Sequence, residues 1–447
     1  MQPLPHPRAR DQVGLLRRLF VDPTPVLDEL AAAHGPVCGL GFGPVRMAIV
    51  GDGASLRALF AMPSSSFKWG HRYNVLGFVV GDGSMIVSDG DEHRRRRGSV
   101  QAAFGIKRLN GWIPMILERT DAAIDRLVAS LDGGAREVDL YPVGRSIVLD
   151  VVIQALFGPR LASRATEIGE LFQRPQDYLE SSAVKQLPHP IPFTTRSRVR
   201  ADRRALDAII DVEIADRRSH PGEGTDVLQA LVDDGSLSDA EIRDQVVTLI
   251  GAGYDTTAAS MAWMLWCAAL APAVWEALRA EADGVLGPPG ASLAGADRST
   301  LNALDVSERV MRETLRLHPA GALSPRQAVV DLDVGGHRIV KGTLVLWSSH
   351  LAGRDPRSWD EPLRFDPDRF VDPTDEQQAL ADAAWVPFGR GPRACIGFAL
   401  AQMELTLMIA RFAQRLDVRP SATVAPRPVG MVVNRPEGGV PMLVSAR

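Results

Sequence analysis

The sequence predicts a mainly α-helical fold with a smaller β-rich region. Apolar residues recur at helical spacing through most of the chain after residue 90. Residues 329–346 instead alternate in a strand-like way around Gly335-Gly336, which is typical of a hairpin. No long Gly-, Ser- or Pro-rich linker divides the chain, so residues 1–447 are expected to form a single domain.

Each regular element is predicted from its own local pattern. Residues 46–50 (RMAIV) form a short apolar run typical of a strand. Apolar periodicity predicts helices over residues 92–104, 113–131, 147–157, 198–218, 238–270, 273–285 and 399–415. The helix at 238 begins with Ser238-Asp-Ala-Glu241, which is the pattern of a capping box. Glycines at 430, 438 and 439 favour a last hairpin.

Two stretches are predicted to lack regular structure. Three prolines exclude a helix over residues 187–192 (LPHPIP), so this stretch is expected to be an exposed loop. Residues 354–370 are rich in Pro, Asp and Arg and show little periodicity. The sequence therefore places one irregular segment in the middle of the chain and another before its last helix.

Composition and charge exclude several classes of protein. The net charge of −4 does not indicate a nucleic-acid-binding protein. Cys38, Cys267 and Cys395 are too few and too scattered for a disulfide framework, so a cytoplasmic location is expected. The first 20 residues have no apolar run typical of a signal peptide or a membrane anchor. Residues 246–270 are almost uncharged, but Asp255 would be costly in lipid, so a buried helix is predicted there.

The most informative motif is a glycine-rich loop around one cysteine, Phe388-Gly-Arg-Gly-Pro-Arg-Ala-Cys-Ile-Gly397. Its glycines allow the backbone to approach a flat ligand closely. Backbone N–H groups in such a loop can stabilise a thiolate at Cys395, and Arg393 adds a positive charge for an anionic group. The alternative interpretation is a buried structural thiol in a Gly/Pro turn.

A second motif is Glu313-Thr-Leu-Arg316, in a helical run that ends at His318-Pro319. Residues three apart share a helix face, so the two charges can pair. Most such pairs are solvated, but Leu315 and Leu317 flank this one and favour burial.

A third motif interrupts the apolar central helix at residues 251–257 (GAGYDTT). Two glycines weaken a helix, and a threonine can bond to a carbonyl one turn earlier. The pattern predicts a local distortion, which is either a tolerated kink or a space for a small ligand.

A fourth motif is the basic run His93-Arg94-Arg95-Arg96-Arg97. His93 and Arg97 are four residues apart and share a helix face, where they suit a carboxylate. The other three arginines, with Lys107 and Arg108, are expected to form either a solvated face or a basic patch for an acidic protein.

Together these motifs resemble those of cytochromes P450. The cysteine loop matches the family's Phe-x-x-Gly-x-Arg-x-Cys-x-Gly at every fixed position, and the other motifs follow the family's order from Asp89 to Gly397. The resemblance implies the cytochrome P450 fold, with a central oxygen-activating helix at about 238–270 and a haem-ligand loop at 388–397.

The resemblance also implies a cofactor and residue roles. The cofactor is haem b, with Cys395 as its axial thiolate and metal ligand. As catalytic residues, Thr256 would donate a hydrogen bond to dioxygen and Asp255 would help to deliver protons. Further cofactor-binding residues are His93, Arg97, Ala252, Arg326, Phe388, Arg393 and Gly397. A buried structural network would consist of Glu313, Arg316 and Arg369.

The position of the motifs also suggests where a substrate would bind. Pocket walls are expected at Ile86, Val87, Ala252, Leu323 and Val429, which are small or apolar and favour a hydrophobic compound. Residues 187–192 correspond either to the mobile cover of the family's substrate channel or to an ordinary connection.

The implied activity is that of a haem-thiolate monooxygenase. It would hydroxylate or epoxidise a hydrophobic small molecule with O2, such as a fatty acid, terpenoid, steroid or polyketide. The short tail after Cys395 leaves no room for a fused reductase, so a ferredoxin or flavodoxin with its reductase is expected to supply electrons. The alternatives are a P450-fold peroxygenase or isomerase, against which Asp255-Thr256 argues, and a non-catalytic haem-dependent ligand-binding protein.

Overall fold

The computed structural model describes residues 2–69, 75–181, 183–189, 191–220, 226–421 and 424–447. Helices dominate this part of the chain. They are α1 (Ala9–Leu19), α2 (Pro23–His34), α3 (Gly53–Ala61), α4 (Leu76–Val80), α5 (Gly90–Ala103), α6 (Ile106–Gly111), α7 (Ile113–Ala129), α8 (Leu140–Ala162), α9 (Ala165–Leu179), α10 (Ala183–Gln186), α11 (Thr195–Ser219), α12 (Val227–Asp234), α13 (Asp239–Ala269), α14 (Pro272–Leu286), α15 (Arg298–Asn302), α16 (Asp305–Leu317), α17 (Ser349–Ala352), α18 (Asp375–Ala384) and α19 (Phe398–Arg415).

Short strands form small sheets in the described part of the chain. They are β1 (Gln2–Pro3), β2 (Val37–Leu40), β3 (Met47–Val50), β4 (Phe67–Lys68), β5 (Arg136–Asp139), β6 (Ser324–Ala328), β7 (Leu332–Val334), β8 (His337–Ile339), β9 (Leu344–Trp347), β10 (Leu416–Pro420), β11 (Pro428–Val429), β12 (Arg435–Pro436) and β13 (Pro441–Ala446). The chain divides into two compact units. The sequence-based expectation of a single domain stays a prediction.

The first unit consists of Met1–Asn74, Arg312–Cys395 and Arg427–Glu437. Its main sheet has the strand order β2-β3-β9-β6-β4, with β3 and β9 parallel and Ile49 opposite Leu346. Every residue of β2 and β3 is buried, because apolar clusters cover both faces of these strands. The unit is thus a β-rich region covered by short helices.

The second unit consists of Val75–Met311, Ile396–Pro426 and Gly438–Arg447 and is mostly helical. Its longest helix is α13, which packs against α8, α11, α14 and α19. Apolar residues surround the second half of α13, so almost all of its side chains from Thr257 onward are buried. A small sheet of order β10-β13-β5 completes the unit.

The predicted mainly α fold with a small β region is confirmed, and most predicted helices agree with the observed ones to within three residues. The capping box at the start of α13 is present, with the N–H of Glu241 donating to Ser238 Oγ at 3.3 Å. α8 begins seven residues before the predicted start at 147. The expected distortion at residues 251–257 is wrong, because α13 is continuously α-helical there.

The irregular stretch at residues 187–192 lies outside helices and strands wherever it is described, while Pro190 lies outside the described residues. Among the described helices, α8 is long and apolar enough to cross a membrane, and α13 with α14 passes the same test as a pair bent by 111°. Within α8, 61% of the apolar window is buried inside the protein itself, as in the core helix of a globular protein.

A buried network of three charges organises the first unit. Two nitrogens of the Arg316 guanidinium donate to the two carboxylate oxygens of Glu313, both at 2.7 Å. The Nε of Arg369 donates to the same carboxylate at 2.9 Å. Arg316 also donates to the carbonyls of Gly353 and Pro362, so it joins α16 to the irregular segment that precedes the cysteine loop. The predicted partners are therefore in contact, and no polar atom of the pair faces water.

A second buried polar contact in the first unit involves His350. Its Nε2 lies 2.8 Å from Asp28 Oδ1, and its Nδ1 lies 2.9 Å from an Arg354 nitrogen. Because a guanidinium only donates, Nδ1 accepts and Nε2 carries the proton donated to Asp28. Burial lowers the pKa of His350, and the charge of Arg354 lowers it further. The folded protein therefore holds a neutral imidazole at this position.

The Glu313→Ala variant is expected to lose about 3–5 kcal/mol of unfolding free energy, because Arg316 and Arg369 would keep buried charges without a carboxylate. Denaturation in guanidinium chloride measures this loss. Glu167→Ala is the matched control, since Glu167 forms an exposed pair of the same spacing with Arg164 and its loss should not move the midpoint. A Glu313→Ala protein as stable as the wild type would contradict the proposed role.

Stability is expected to fall as the pH drops below about 6.5, the ordinary pKa of histidine. Below this pH, His350 binds a proton in the unfolded chain but stays neutral in the folded chain, so lower pH favours unfolding. In His350→Gln, the slope of unfolding free energy against pH should decrease by up to about 1.4 kcal/mol per pH unit. This value corresponds to one proton taken up on unfolding. Denaturation midpoints at several pH values measure it. The control is His220→Gln, at an exposed histidine, and identical slopes in wild type and His350→Gln would refute the account.

Candidate functional site

The cysteine loop of the first unit runs from Phe388 to Cys395. Gly389 and Gly391 have φ angles of 64° and 72°, in the left-handed region that favours glycine. The loop is closed by a backbone hydrogen bond in which the N–H of Cys395 donates to the carbonyl of Phe388 at 2.8 Å. Gly397, the N-cap of α19, follows two residues later. The glycines therefore let the chain fold back and present Cys395 on a short turn.

Cys395 is exposed, whereas the two other cysteines of the chain, which are also described, are buried. This exposure contradicts the alternative interpretation of a buried structural thiol. An exposed sulfur on a glycine-rich turn can be reached by a ligand. The geometry therefore agrees with a thiol that coordinates something outside the protein chain.

Arg326 lies near this loop in the first unit, on β6. Arg326 is only 6% exposed, and its Nε has no hydrogen-bond partner within the described part of the chain. Phe60, Phe67 and Trp69 surround the guanidinium at ring distances of 5.0–5.2 Å. Burial lowers the pKa of Arg326 to about 10, and the charge of Arg393 acts in the same direction.

Arg393 shares this environment, because its guanidinium lies 4.1 Å from the Trp69 ring and lines the same narrow cavity as Arg326. No carboxylate pairs with Arg326 anywhere in the part of the chain that the structure describes. A buried cation without an anion is unfavourable. The cavity is thus suited to a carboxylate or another anion from outside the chain.

In the second unit, His93 and Arg97 lie one turn apart on α5, and His93 is buried. Their spacing places both side chains on one face of the helix. Both therefore have the chemistry and the geometry to hold a single anionic group.

The arginines between them do not form the expected basic patch. Arg94 pairs with Asp91, Arg95 with Glu92 and Glu241, and Arg96 with Glu241. The guanidinium of Arg95 lowers the pKa of Glu241 to about 2. These carboxylates neutralise most of the charge, so the prediction of a basic docking patch at Arg94 to Arg96 is corrected.

Asp255 lies on α13 and is completely buried. The hydroxyl of Tyr141 donates to its Oδ1 at 3.2 Å, and the Nε of Arg145 lies 3.7 Å from the same oxygen. Both partners come from α8, which packs along α13. Tyr141 itself is partly exposed, so the buried carboxylate has a partner that extends to the surface of the unit.

Thr256 follows Asp255 and points its hydroxyl back along the helix, where Oγ1 donates to the carbonyl of Ala252 at 2.5 Å. Ala252 is exposed and Thr256 is partly exposed, while Thr257 is buried. The acid is therefore inside the unit, and the alcohol lies at the edge of an accessible face of α13.

The residues predicted to contact a substrate differ in their surroundings. Ile86 is 38% exposed, in the short turn Met85–Val87. Val87 packs against the small cluster of Val79, Val80, Tyr178 and Val199. Leu323 is buried in a core cluster of the first unit, which gives it a packing role, and Val429 is partly buried in β11. Substrate contact by these residues stays a prediction.

Several residues with evident roles were not identified from the sequence. Tyr141 and Arg145 hold Asp255, and no local motif marks them. Asp244, Gln245 and Thr248 bind the segment of residues 81–88. The sequence could have identified these three residues, because with Glu241 they form a polar stripe at helical spacing on an apolar helix.

Taken together, these side chains fit a haem. An accessible thiol can ligate iron, and the arginine cavity on the first unit can accept a carboxylate such as a haem propionate. The aromatic walls beside Arg326 suit a flat apolar ring system. The chemistry of the donor set therefore agrees with the cofactor that the sequence motifs imply.

Comparisons with known proteins give the family. The family model for Cytochrome P450 matches residues 14–440. The chain is 33% identical over 388 residues to "Putative cytochrome P450 139" of Mycobacterium bovis, covering 86% of this chain and 88% of the relative. It is 28% identical over 434 residues to "Pentalenene oxygenase" of Streptomyces avermitilis, covering 94% and 92%. Its fold is similar to the solved structure "Retinoic acid bound cyanobacterial CYP120A1", with a TM-score of 0.86, 22% identity and full coverage of both chains.

These matches establish the cofactor and the reaction class. The cofactor is haem with an axial cysteine thiolate, which favours cleavage of the O–O bond when it is bound. The enzyme class is that of the monooxygenases. The chain belongs to the cytochrome P450 family.

Proposed function

We propose that this protein hydroxylates or epoxidises a hydrophobic small molecule of the terpenoid class with electrons from separate redox proteins. The observation that carries the oxygen-activating part is the acid–alcohol pair Asp255-Thr256, with a buried carboxylate beside an accessible hydroxyl. A peroxygenase or an isomerase needs no proton delivery from such a pair, so its presence favours the monooxygenase.

The haem roles proposed for individual residues follow from their chemistry. Cys395 is the axial ligand, since it is the cysteine of the family motif and is exposed. Arg326 and Arg393 hold a haem propionate through charge-assisted bonds. His93 and Arg97, which share one face of α5, hold a carboxylate in the same way. Phe388 and Gly397 shape the loop before and after the thiolate. All of them would act within a single cytochrome P450 domain.

The side chains of α13 would move protons in two steps. Tyr141, which is partly exposed, passes a proton from solvent to Oδ1 of Asp255. From Asp255 the proton would pass on through the Thr256 hydroxyl, which would leave the Ala252 carbonyl, give its own proton toward dioxygen and take the proton of Asp255, so that Asp255 can again accept from Tyr141. Arg145, whose Nε lies 3.7 Å from Oδ1, holds the Asp255 carboxyl group in place between these steps.

The terpenoid class is supported by similarity. "Pentalenene oxygenase" matches nearly the whole chain, and its name states that it oxygenates pentalenene. The predicted wall residues Ile86, Val87, Ala252, Leu323 and Val429 are small or apolar, which agrees with a hydrocarbon-like substrate. Fatty acids, steroids and polyketides share this apolar character, so a substrate panel has to include them.

A ferredoxin or flavodoxin with its reductase is proposed as the electron donor. The location proposed is the cytoplasm, where reduced thiols such as Cys38 and Cys267 are stable. Because Arg94 to Arg96 are ion-paired, docking of the donor at those residues is not part of the proposal.

The test combines NADPH, a ferredoxin with its reductase, pentalenene as first substrate and ¹⁸O2. Wild-type product should carry one ¹⁸O atom. Thr256→Ala should reduce product per NADPH by about tenfold or more and release hydrogen peroxide instead, because proton delivery is lost. Thr257→Ala is the matched control, since Thr257 is buried beside it and should retain coupling.

Two results would contradict the proposal. Product formed with hydrogen peroxide alone, and equally fast in Thr256→Ala, would indicate a peroxygenase. Haem-loaded protein that binds members of the panel but consumes no NADPH would indicate a ligand-binding protein.

A further inference from the structure

The segment of residues 81–88 follows α4 and is bound to α13 through Gly83, Ser84 and Met85. The N–H of Gly83 donates to Asp244 Oδ2 at 2.9 Å. The amide of Gln245 makes two bonds to the segment, accepting from the Met85 N–H at 2.9 Å and donating to the Gly83 carbonyl at 2.6 Å. Three backbone groups, the N–H and C=O of Gly83 and the N–H of Met85, are thus held by two adjacent side chains of one helix.

A third residue of the helix continues these contacts. The hydroxyls of Thr248 and Ser84 lie 2.6 Å apart, and both residues are buried. Ser84 Oγ in turn accepts from the Ile86 N–H at 3.2 Å. Ile86 is therefore connected to α13 through the hydrogen bonds of Ser84 and Met85.

The segment lies very close to the helix. Gly81 has a φ of 93°, and a Cβ built on it would meet the Asp244 carboxylate at 2.1 Å. A Cβ on Gly83 would lie 2.8 Å from the same carboxylate. Both glycines of the sequence Gly81-Asp82-Gly83 are needed for this approach, so only a residue without a side chain fits at either position.

A second helix also bonds directly to this segment, because Arg96 of α5 donates to the carbonyl of Asp82 at 3.0 Å. Arg203 of α11 acts on its surroundings, since it pairs with Asp244 and donates to the carbonyl of Val79 just before the segment. The segment is therefore bonded to two helices of the second unit, and a third fixes the carboxylate that binds Gly83.

The contacts lie on the face of α13 that carries the catalytic pair. Asp244, Gln245 and Thr248 are followed at helical spacing by Ala252 and Thr256. Thr256 lies two turns beyond Thr248, about 12 Å along the axis. That distance is comparable to the length of a small terpenoid.

We propose that Gln245 is a positioning residue that determines the size selectivity of the enzyme. By holding Gly83 and Met85 it fixes Ile86 as a rigid wall at one end of the substrate site, at a set distance from Thr256. This inference rests on the proposed function, because it assumes that the substrate lies along the Thr256 face of α13.

The first measurement is amide hydrogen exchange of the ligand-free holoenzyme over residues 81–88. In Gln245→Leu, which keeps the volume and loses both bonds, exchange at Met85 should be about 10-fold to 100-fold faster. Gln229→Leu is the matched control, since Gln229 is equally buried but its side chain donates to Asp233 within α12 and accepts from Arg217 of α11. Unchanged exchange in Gln245→Leu would overturn the proposal.

The second measurement compares the affinities of imidazole and the larger 4-phenylimidazole from the shift of the haem absorption band. Gln245→Leu should leave imidazole binding unchanged and bind 4-phenylimidazole about tenfold tighter, because the wall can move away. Ile86→Ala should have the same selective effect without faster exchange, and Thr248→Val is a milder substitute if Gln245→Leu does not fold.

The selectivity role would be overturned if the ratio of the 4-phenylimidazole affinity to the imidazole affinity were the same in the wild type, Gln245→Leu and Ile86→Ala. This holds even if amide exchange at Met85 is faster in Gln245→Leu. An absence of any azole shift in the wild type would instead refute the proposed function, and the exchange measurement, which needs no ligand, would still decide whether Gln245 holds the segment.

Discussion

Buried guanidinium groups need anions, and this constraint explains the first unit. Arg316 is completely buried and is balanced by Glu313, which also accepts from Arg369. Arg326 is nearly as buried, but aromatic rings surround it, and no described carboxylate of the chain pairs with it. A folded protein tolerates such a cation when a ligand supplies the charge. Arg316 is therefore balanced by a carboxylate of the chain, whereas Arg326 is suited to an anion from outside the chain, such as the haem propionate of the proposed function.

The second unit is organised by one helix with an unusual polar face. In an apolar helix such as α13, a buried polar residue needs a hydrogen-bond partner, and Asp255, Thr256 and Gln245 each have one. Asp255 has Tyr141 and Arg145, Thr256 has the Ala252 carbonyl, and Gln245 has the backbone of the 81–88 segment. Under the proposed function, a single stripe along the helix positions both the proton-delivering pair and the wall beside the substrate, and selectivity and oxygen activation are linked through the register of one helix.

Much of this could be predicted from the sequence, because the relevant signals are local. The capping box at Ser238 and the glycine loop before Cys395 each depend on a few adjacent residues. α13 was predicted to distort at its glycines, but packing against α8 and neighbouring helices outweighs the low helix propensity of residues 251–257. The helices α1 to α3 were not predicted: α1 is amphipathic and its signal was overlooked, whereas α2 and α3 are apolar on most sides and show weak periodicity.

The remaining errors concern partners that are distant in the chain. Arg95 and Arg96 were expected to form a basic surface, but Glu241 lies about 145 residues away in sequence and neutralises them. Tyr141 and Arg145 likewise reach Asp255 from a different helix. A charge count over a local run cannot include such partners, because only the tertiary fold brings them together.

The central claim, that Cys395 is the thiolate ligand of a haem, is tested most directly by the absorption spectrum of the dithionite-reduced protein under carbon monoxide. The account predicts a strongly red-shifted Soret band in the wild type, retained in Cys267→Ala and lost in Cys395→Ala. A haem spectrum without this shift in the wild type, or an unchanged shifted band in Cys395→Ala, would contradict it.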